Sequence, residues 1–181
     1  MDIRYCIDLI KAALQEIESG YFNLATTYEP SGIVRERVFC YELYHQIRLL
    51  MTDDIPISLN GEIDKRGHVD FKKEHRKNPD FVFHIPGTHL GNTIVVEVKG
   101  RLDYAKEKIL GDFETLFTFV NNYGYQAGIF ILYNHSYAEL LKVYGEELKV
   151  LKSSPNSEAI YIISIGSAET EPEEIILADI P

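Results

Sequence analysis

Two short apolar runs, each with an acid near one end, constrain this chain more than any other feature. They are Asn78-Pro79-Asp80-Phe81-Val82-Phe83-His84 and Thr93-Ile94-Val95-Val96-Glu97-Val98-Lys99. Both are rich in β-branched and aromatic residues, and the connection HIPGTHLGN between them is rich in turn formers. They therefore read as neighbouring strands. Side chains alternate between the two faces of a strand. Ile94, Val96 and Val98 point one way, and Val95, Glu97 and Lys99 the other. In the first run Asp80, Val82 and His84 share a face, opposite Phe81, Phe83 and Ile85. Symmetric closure of this hairpin makes partner numbers sum to 177. Asp80 then lies opposite Glu97, with Cβ atoms roughly 4.5–5.5 Å apart, and two carboxylates and a lysine gather at one end of the sheet.

The surrounding pattern supplies the rest of an α/β architecture. Asp2 to Glu18 is an amphipathic helix with a stop near Gly20, and YFNLATTYEPSG after it is irregular. Val34 to Met51 is a second helix, with Phe39, Leu43, Ile47 and Leu50 at helical spacing. Ile55 to Ile63 alternates as a strand, and the basic stretch DKRGHVDFKKEHRKN is a long loop or irregular hairpin tip. After the two constraining strands come a helix (Asp103 to Asn121), a buried strand (Ala127 to Tyr133), a helix (Tyr137 to Val150) and a late strand (Ala159 to Ile165). The tail ETEPEEIILADIP is acidic and is expected to be loose. The 181 residues suit one domain, with a core at about 34–133, an N-terminal helix at 2–19 and a C-terminal extension at 137–181. A mixed central sheet with helices on its faces follows.

Composition narrows the setting. Cys6 and Cys40 fit no zinc or disulfide spacing and read as reduced residues packed in helices, which suits an intracellular protein. The N-terminus has acids among its apolar residues, unlike a signal peptide, and no apolar run approaches the roughly 20 residues of a membrane helix. A cytoplasmic location without membrane association is the expectation. A net charge of -10 argues against generic nucleic-acid binding. The charge is uneven, however: residues 61–110 carry 10 basic and 8 acidic side chains, so the segment holding the acid pair is the one that is net positive.

Two carboxylates this close repel unless a proton or a cation lies between them. Their hard oxygens suit Mg²⁺ or Mn²⁺, which can bind a phosphate oxygen and lower the pKa of a bound water. Lys99 beside them can orient or help deprotonate that water, or neutralise phosphate charge. Pro79-Asp80 followed by Glu97-Val98-Lys99 resembles the signature of the PD-(D/E)XK, or restriction-endonuclease-like, nuclease superfamily. The family core is helix, three strands, helix, strand, similar to the order from Val34 to Tyr133. The resemblance implies a restriction-endonuclease-like fold and a Mg²⁺-dependent nuclease. It also implies metal ligation by Asp80 and Glu97, with Lys99 assisting the water.

Many members of that family add a glutamate from the helix before the sheet. Glu42, which borders the apolar stripe, is the candidate, and Glu36 a weaker one; a helix-surface acid is the plain alternative. Lys65, Arg66, Lys72, Lys73, Arg76 and Lys77 precede Asp80 and could grip phosphates, although Asp64, Asp70 and Glu74 dilute the patch. Arg101, Lys106 and Lys108 could add contacts. His68, His75, His84 and His89 match no zinc spacing, and there is no Walker-type glycine loop. The expectation is a phosphodiester hydrolase acting on nucleic acid, DNA foremost, in restriction, repair or defence. The alternatives are a non-catalytic regulatory or binding domain, or a subunit whose partner or second copy supplies the DNA-binding surface.

Overall fold

A computed structural model of the chain describes residues 2–52, 56–61, 78–86, 91–103 and 106–181. The N-terminal half contributes α1 (Ile3–Gln15), α2 (Ser19–Phe22), α3 (Glu36–Leu50), β1 (Ser58–Gly61), β2 (Phe81–His84) and β3 (Ile94–Lys99). They are followed by α4 (Lys106–Tyr123), β4 (Ala127–Tyr133), α5 (Tyr137–Lys152), β5 (Ile160–Ile165) and β6 (Glu173–Ile176).

The strands form one mixed sheet in the order β1-β2-β3-β4-β5-β6. β1, β2 and β3 run antiparallel as consecutive neighbours. β3, β4 and β5 run parallel, and α4 and α5 supply the two crossovers. β6 returns antiparallel along β5. The expected α/β class, with a mixed sheet flanked by helices, is what the chain adopts.

Period-two alternation divides the core between the two faces. Phe81, Phe83, Ile94, Val96 and Val98 pack with α1 and α3. Val82, Val95, Phe130 and Leu132 pack with α4 and α5. Ile10 and Leu14 on α1 and Phe39 and Leu43 on α3 are fully buried, and each such burial contributes roughly 1.5–3 kcal/mol. Local signals agree: Asp2 caps α1 by accepting the Arg4 N–H at 2.9 Å, and Ser136 and Glu139 form a reciprocal capping box on α5.

The acidic tail differs from its expectation. It supplies β6 and then a 3-10 turn at Leu177–Asp179, and Leu177 and Ile180 are buried against α5 and β5. Apolar residues at these positions outweigh the acids around them, because the acids can remain solvated while the apolar side chains do not. Glu174 is also tied to α1, 2.6 Å from Arg4 and 3.1 Å from Lys11. The first strand is shorter than expected, covering Ser58–Gly61, with Ile57 and Leu59 buried; Ile55 and Ile63 lie outside the described residues. The stretch after α1 is less irregular than expected, since it holds α2 and an isolated bridge between Leu24 and Ile33. Gly32 closes that bridge with φ of +89°, a conformation that favours glycine. Among the described residues no helix is long and apolar enough to cross a membrane.

Candidate active site

The site grows out of the β2–β3 register. Phe81 pairs with Val96, Val82 with Val95 and Phe83 with Ile94, so partner numbers sum to 177 as the symmetric hairpin required. The pairing ends at Phe81, and Asp80 stands one residue beyond it. There the Asp80 side chain takes over from the backbone: its Oδ2 accepts the Val98 N–H at 2.7 Å. A carboxylate so bound to the neighbouring strand has little freedom to turn away. Glu97, opposite it on the same face, is 7% exposed and close enough to Asp80 for the two carboxyls to act on each other electrostatically.

Burial pushes the Asp80 carboxyl up to about 6, and negative charge on Asp112 and Glu36 adds to the rise, against the opposing effects of the Val98 hydrogen bond and Lys99. Burial likewise raises Glu97 well above the usual carboxylate range, helped by Asp80 and Asp112. The two acids form a coupled pair that retains protons where isolated carboxyls would have lost them.

Lys99 extends from the end of β3 on the same face. Its Nζ lies 3.0 Å from Asp112 Oδ2, on the first half of α4, and 3.6 Å from Glu36 Oε2, in the first turn of α3. Burial alone would favour the neutral amine, but Asp112, Glu36 and Glu97 reverse this and raise its pKa. Lys99 is therefore an ammonium at neutral pH. Glu36 also accepts the Gly100 N–H at 3.3 Å, which ties the start of α3 to the end of β3. Gly100 is required by close approach, since a Cβ there would overlap the hydroxyl end of the Tyr133 ring. That ring is stacked on Phe39 at a centroid distance of 3.8 Å.

Four carboxyl groups, from Asp80, Glu97, Asp112 and Glu36, thus surround one ammonium. Asp80 and Glu97 together suit a hard divalent cation, because Mg²⁺ is commonly held by one or two carboxylates, with water and phosphate oxygens completing its shell. Among the described residues no group of three or more His, Cys, Asp or Glu side chains is arranged as a metal cage. A cation bound here would depend on water and a ligand for its remaining coordination.

The glutamate of α3 requires a correction. Glu42 is engaged elsewhere: its Oε1 accepts from Gln46 Nε2 at 2.6 Å, and its negative charge acts on Tyr21. Glu36 stands at the site instead. The helical stripe orders residues around the axis but does not tell which end of α3 abuts the sheet. Asp112 was not foreseen at all, because an acid on a helix carries no local mark of facing a lysine on a strand.

Arg101 is exposed and engaged by Asp103, with Nε 2.8 Å from Oδ1. Lys106 pairs with Glu147. His84 bonds Asn60 Oδ1 at 2.8 Å, a structural contact between β2 and β1. Lys65, Arg66, Lys72, Lys73, Arg76 and Lys77 lie outside the described residues, as do His68, His75 and His89. Cys6 and Cys40 are free and buried, and burial together with Asp80, Glu36 and Glu97 keeps the Cys40 thiol protonated.

No protein-family model, curated protein or solved structure matches the chain. The residues themselves carry the functional reading.

Proposed function

We propose that this chain is a metal-dependent phosphodiester hydrolase acting on nucleic acid, built on a restriction-endonuclease-like core. One observation carries the reading: a buried and a half-buried carboxyl, both with raised pKa values, lie on one sheet face beside a lysine paired with Asp112 and Glu36. The order α3-β1-β2-β3-α4-β4 supports it, being the helix, three strands, helix, strand of the family that the Pro79-Asp80 and Glu97-Val98-Lys99 motif resembles.

In this reading Asp80 and Glu97 hold Mg²⁺ or Mn²⁺, which when bound draws charge from a phosphate oxygen and acidifies a water. Asp80 is fixed for that task by the Val98 amide. A cation held there would favour the ionised form of both carboxyls, and the protons that their raised pKa values retain would pass to solvent. Lys99 is charged, so it donates hydrogen bonds to the attacking water or to a phosphate oxygen and steadies the negative charge that builds there; it does not serve as the base. Asp112 and Glu36 are positioning residues that fix the ammonium without touching substrate.

The test is cleavage of plasmid, single-stranded DNA and RNA with Mg²⁺, Mn²⁺ or chelator, using the wild type, Asp80→Ala and Lys99→Ala. Cleavage that needs the metal and is lost in both variants is the expected result. The charge of -10 favours a second reading, in which a partner subunit or second copy provides the nucleic-acid surface. Intact protein that binds Mn²⁺ but cuts nothing would support that reading, and no metal binding would leave a regulatory or binding domain.

A further inference from the structure

We propose that the cleft beside the carboxylates is a stacking site for an unpaired nucleobase, so that the substrate is a single strand. This rests on the phosphodiesterase reading and names its substrate class. The cleft has a volume of about 450 Å³ and runs between α3 and the β1–β2 edge. Tyr44 and Phe81 form its inner part, with ring centroids 6.3 Å apart. Phe81 is buried, and the Tyr44 hydroxyl donates to the Leu59 carbonyl at 3.3 Å, which holds its ring in place. Tyr41 and Arg37 stand at the mouth, one helical turn apart on α3.

Tyr41 is 65% exposed, a large apolar ring held in water beside an opening lined by other rings. Asp80 and Glu36 belong both to the carboxylate cluster and to the wall of this cleft. A nucleotide whose phosphate reaches Asp80 therefore carries its base to the cleft. The space is of the size that takes a small flat ligand. A base inside a duplex is already stacked on both sides and paired, so it cannot enter without being extruded. An unpaired base enters freely and stacks on an aromatic ring regardless of its identity. The charge supports the same substrate. Duplex binding draws its affinity from neutralised phosphates, which a chain of net charge -10 supplies poorly. Stacking adds affinity that does not depend on basic surface.

The experiment pairs binding with cleavage. A single-stranded oligonucleotide carrying one 2-aminopurine, in deoxy and ribo forms, is titrated with the protein in Ca²⁺ and followed by fluorescence; the blunt duplex of the same sequence is the control. The expected result is quenching with the single strand and little with the duplex. Tyr41→Ala, at an exposed position, should weaken single-strand binding about tenfold. Its circular dichroism and Mn²⁺ binding should stay unchanged. In Mn²⁺ the same variant should raise KM about tenfold with kcat nearly constant, a split that a merely structural role would not produce. A duplex bound as tightly as the single strand, or Tyr41→Ala binding like the wild type, overturns the inference. Should the wild type cut neither form, hydrolysis by the chain alone fails, and the fluorescence titration still decides the base site. The deoxy and ribo arms identify which sugar the strand carries.

Discussion

The Lys99 ammonium lies 3.0 Å from Asp112 Oδ2, so a residue of α4 fixes the last charged group of β3. The two are only 13% and 17% exposed at the side chain, and Glu36 approaches the same ammonium from α3. One cation thus joins both helical layers at the C-terminal end of β3. Removing any member leaves charge behind in a poorly solvated place, which costs more than the lost contact itself.

Asp112→Asn keeps the shape of the side chain and removes its charge. It should leave Mn²⁺ affinity within about twofold and lower kcat roughly tenfold, as expected when a poorly solvated ammonium loses the charge of its nearest ion-pair partner. At the alkaline end of the pH–rate profile the variant should begin to lose rate at a lower pH than the wild type, because Asp112 raises the Lys99 pKa. Unchanged kcat together with an unshifted profile would remove Asp112 from any positioning role.

Glu36→Gln and Glu42→Gln separate the two glutamates of α3. Glu36 contacts Lys99 and Gly100, whereas Glu42 contacts Gln46. The first variant should lose activity by about tenfold or more, given the size of a charged contact. The second should stay close to wild type, in line with surface substitutions of within about 0.5 kcal/mol. Equal loss in both, measured on the same substrate, would contradict the geometry.

The acid pair links stability to pH in the metal-free protein. Asp80 is raised from 3.8 to about 6, so between those values the folded form holds more protons than the unfolded chain. The stabilisation from that bound proton is complete below about 3.8 and disappears as the pH rises through about 6. Glu97→Gln supplies a neutral partner at every pH. With chelator at pH 8 it should melt roughly 2–4 °C above wild type, and the difference should shrink at pH 5. Added Mg²⁺ should raise the wild-type Tm more than that of the variant. A gap that is identical at both pH values would show that the pair carries no excess proton.

Gly100→Ala probes the junction between core and site. The new methyl group would overlap Tyr133, whose ring is held against Phe39. Urea unfolding should show a loss of about 1–3 kcal/mol. Activity should fall beyond that of a merely less stable enzyme, because the Gly100 N–H donates to Glu36. Wild-type stability in this variant would mean that the Tyr133 ring can move aside.

The amino-acid order alone determined the local geometry of the acid pair. Alternation along Phe81–His84 and Ile94–Lys99 settled which face each side chain takes. The turn-rich connection set the register, because a slip of one residue would have buried the acids' face in the opposite core. Helix positions also followed from spacing, since burial of one stripe is a property of consecutive residues. What only the tertiary structure decided is what comes near that pair from elsewhere. Glu36 rather than Glu42, Asp112 from α4 and the tail strand against β5 are choices between segments remote in sequence. They depend on where each helix ends over the sheet and how neighbouring layers meet, and periodicity within a single element carries no trace of either.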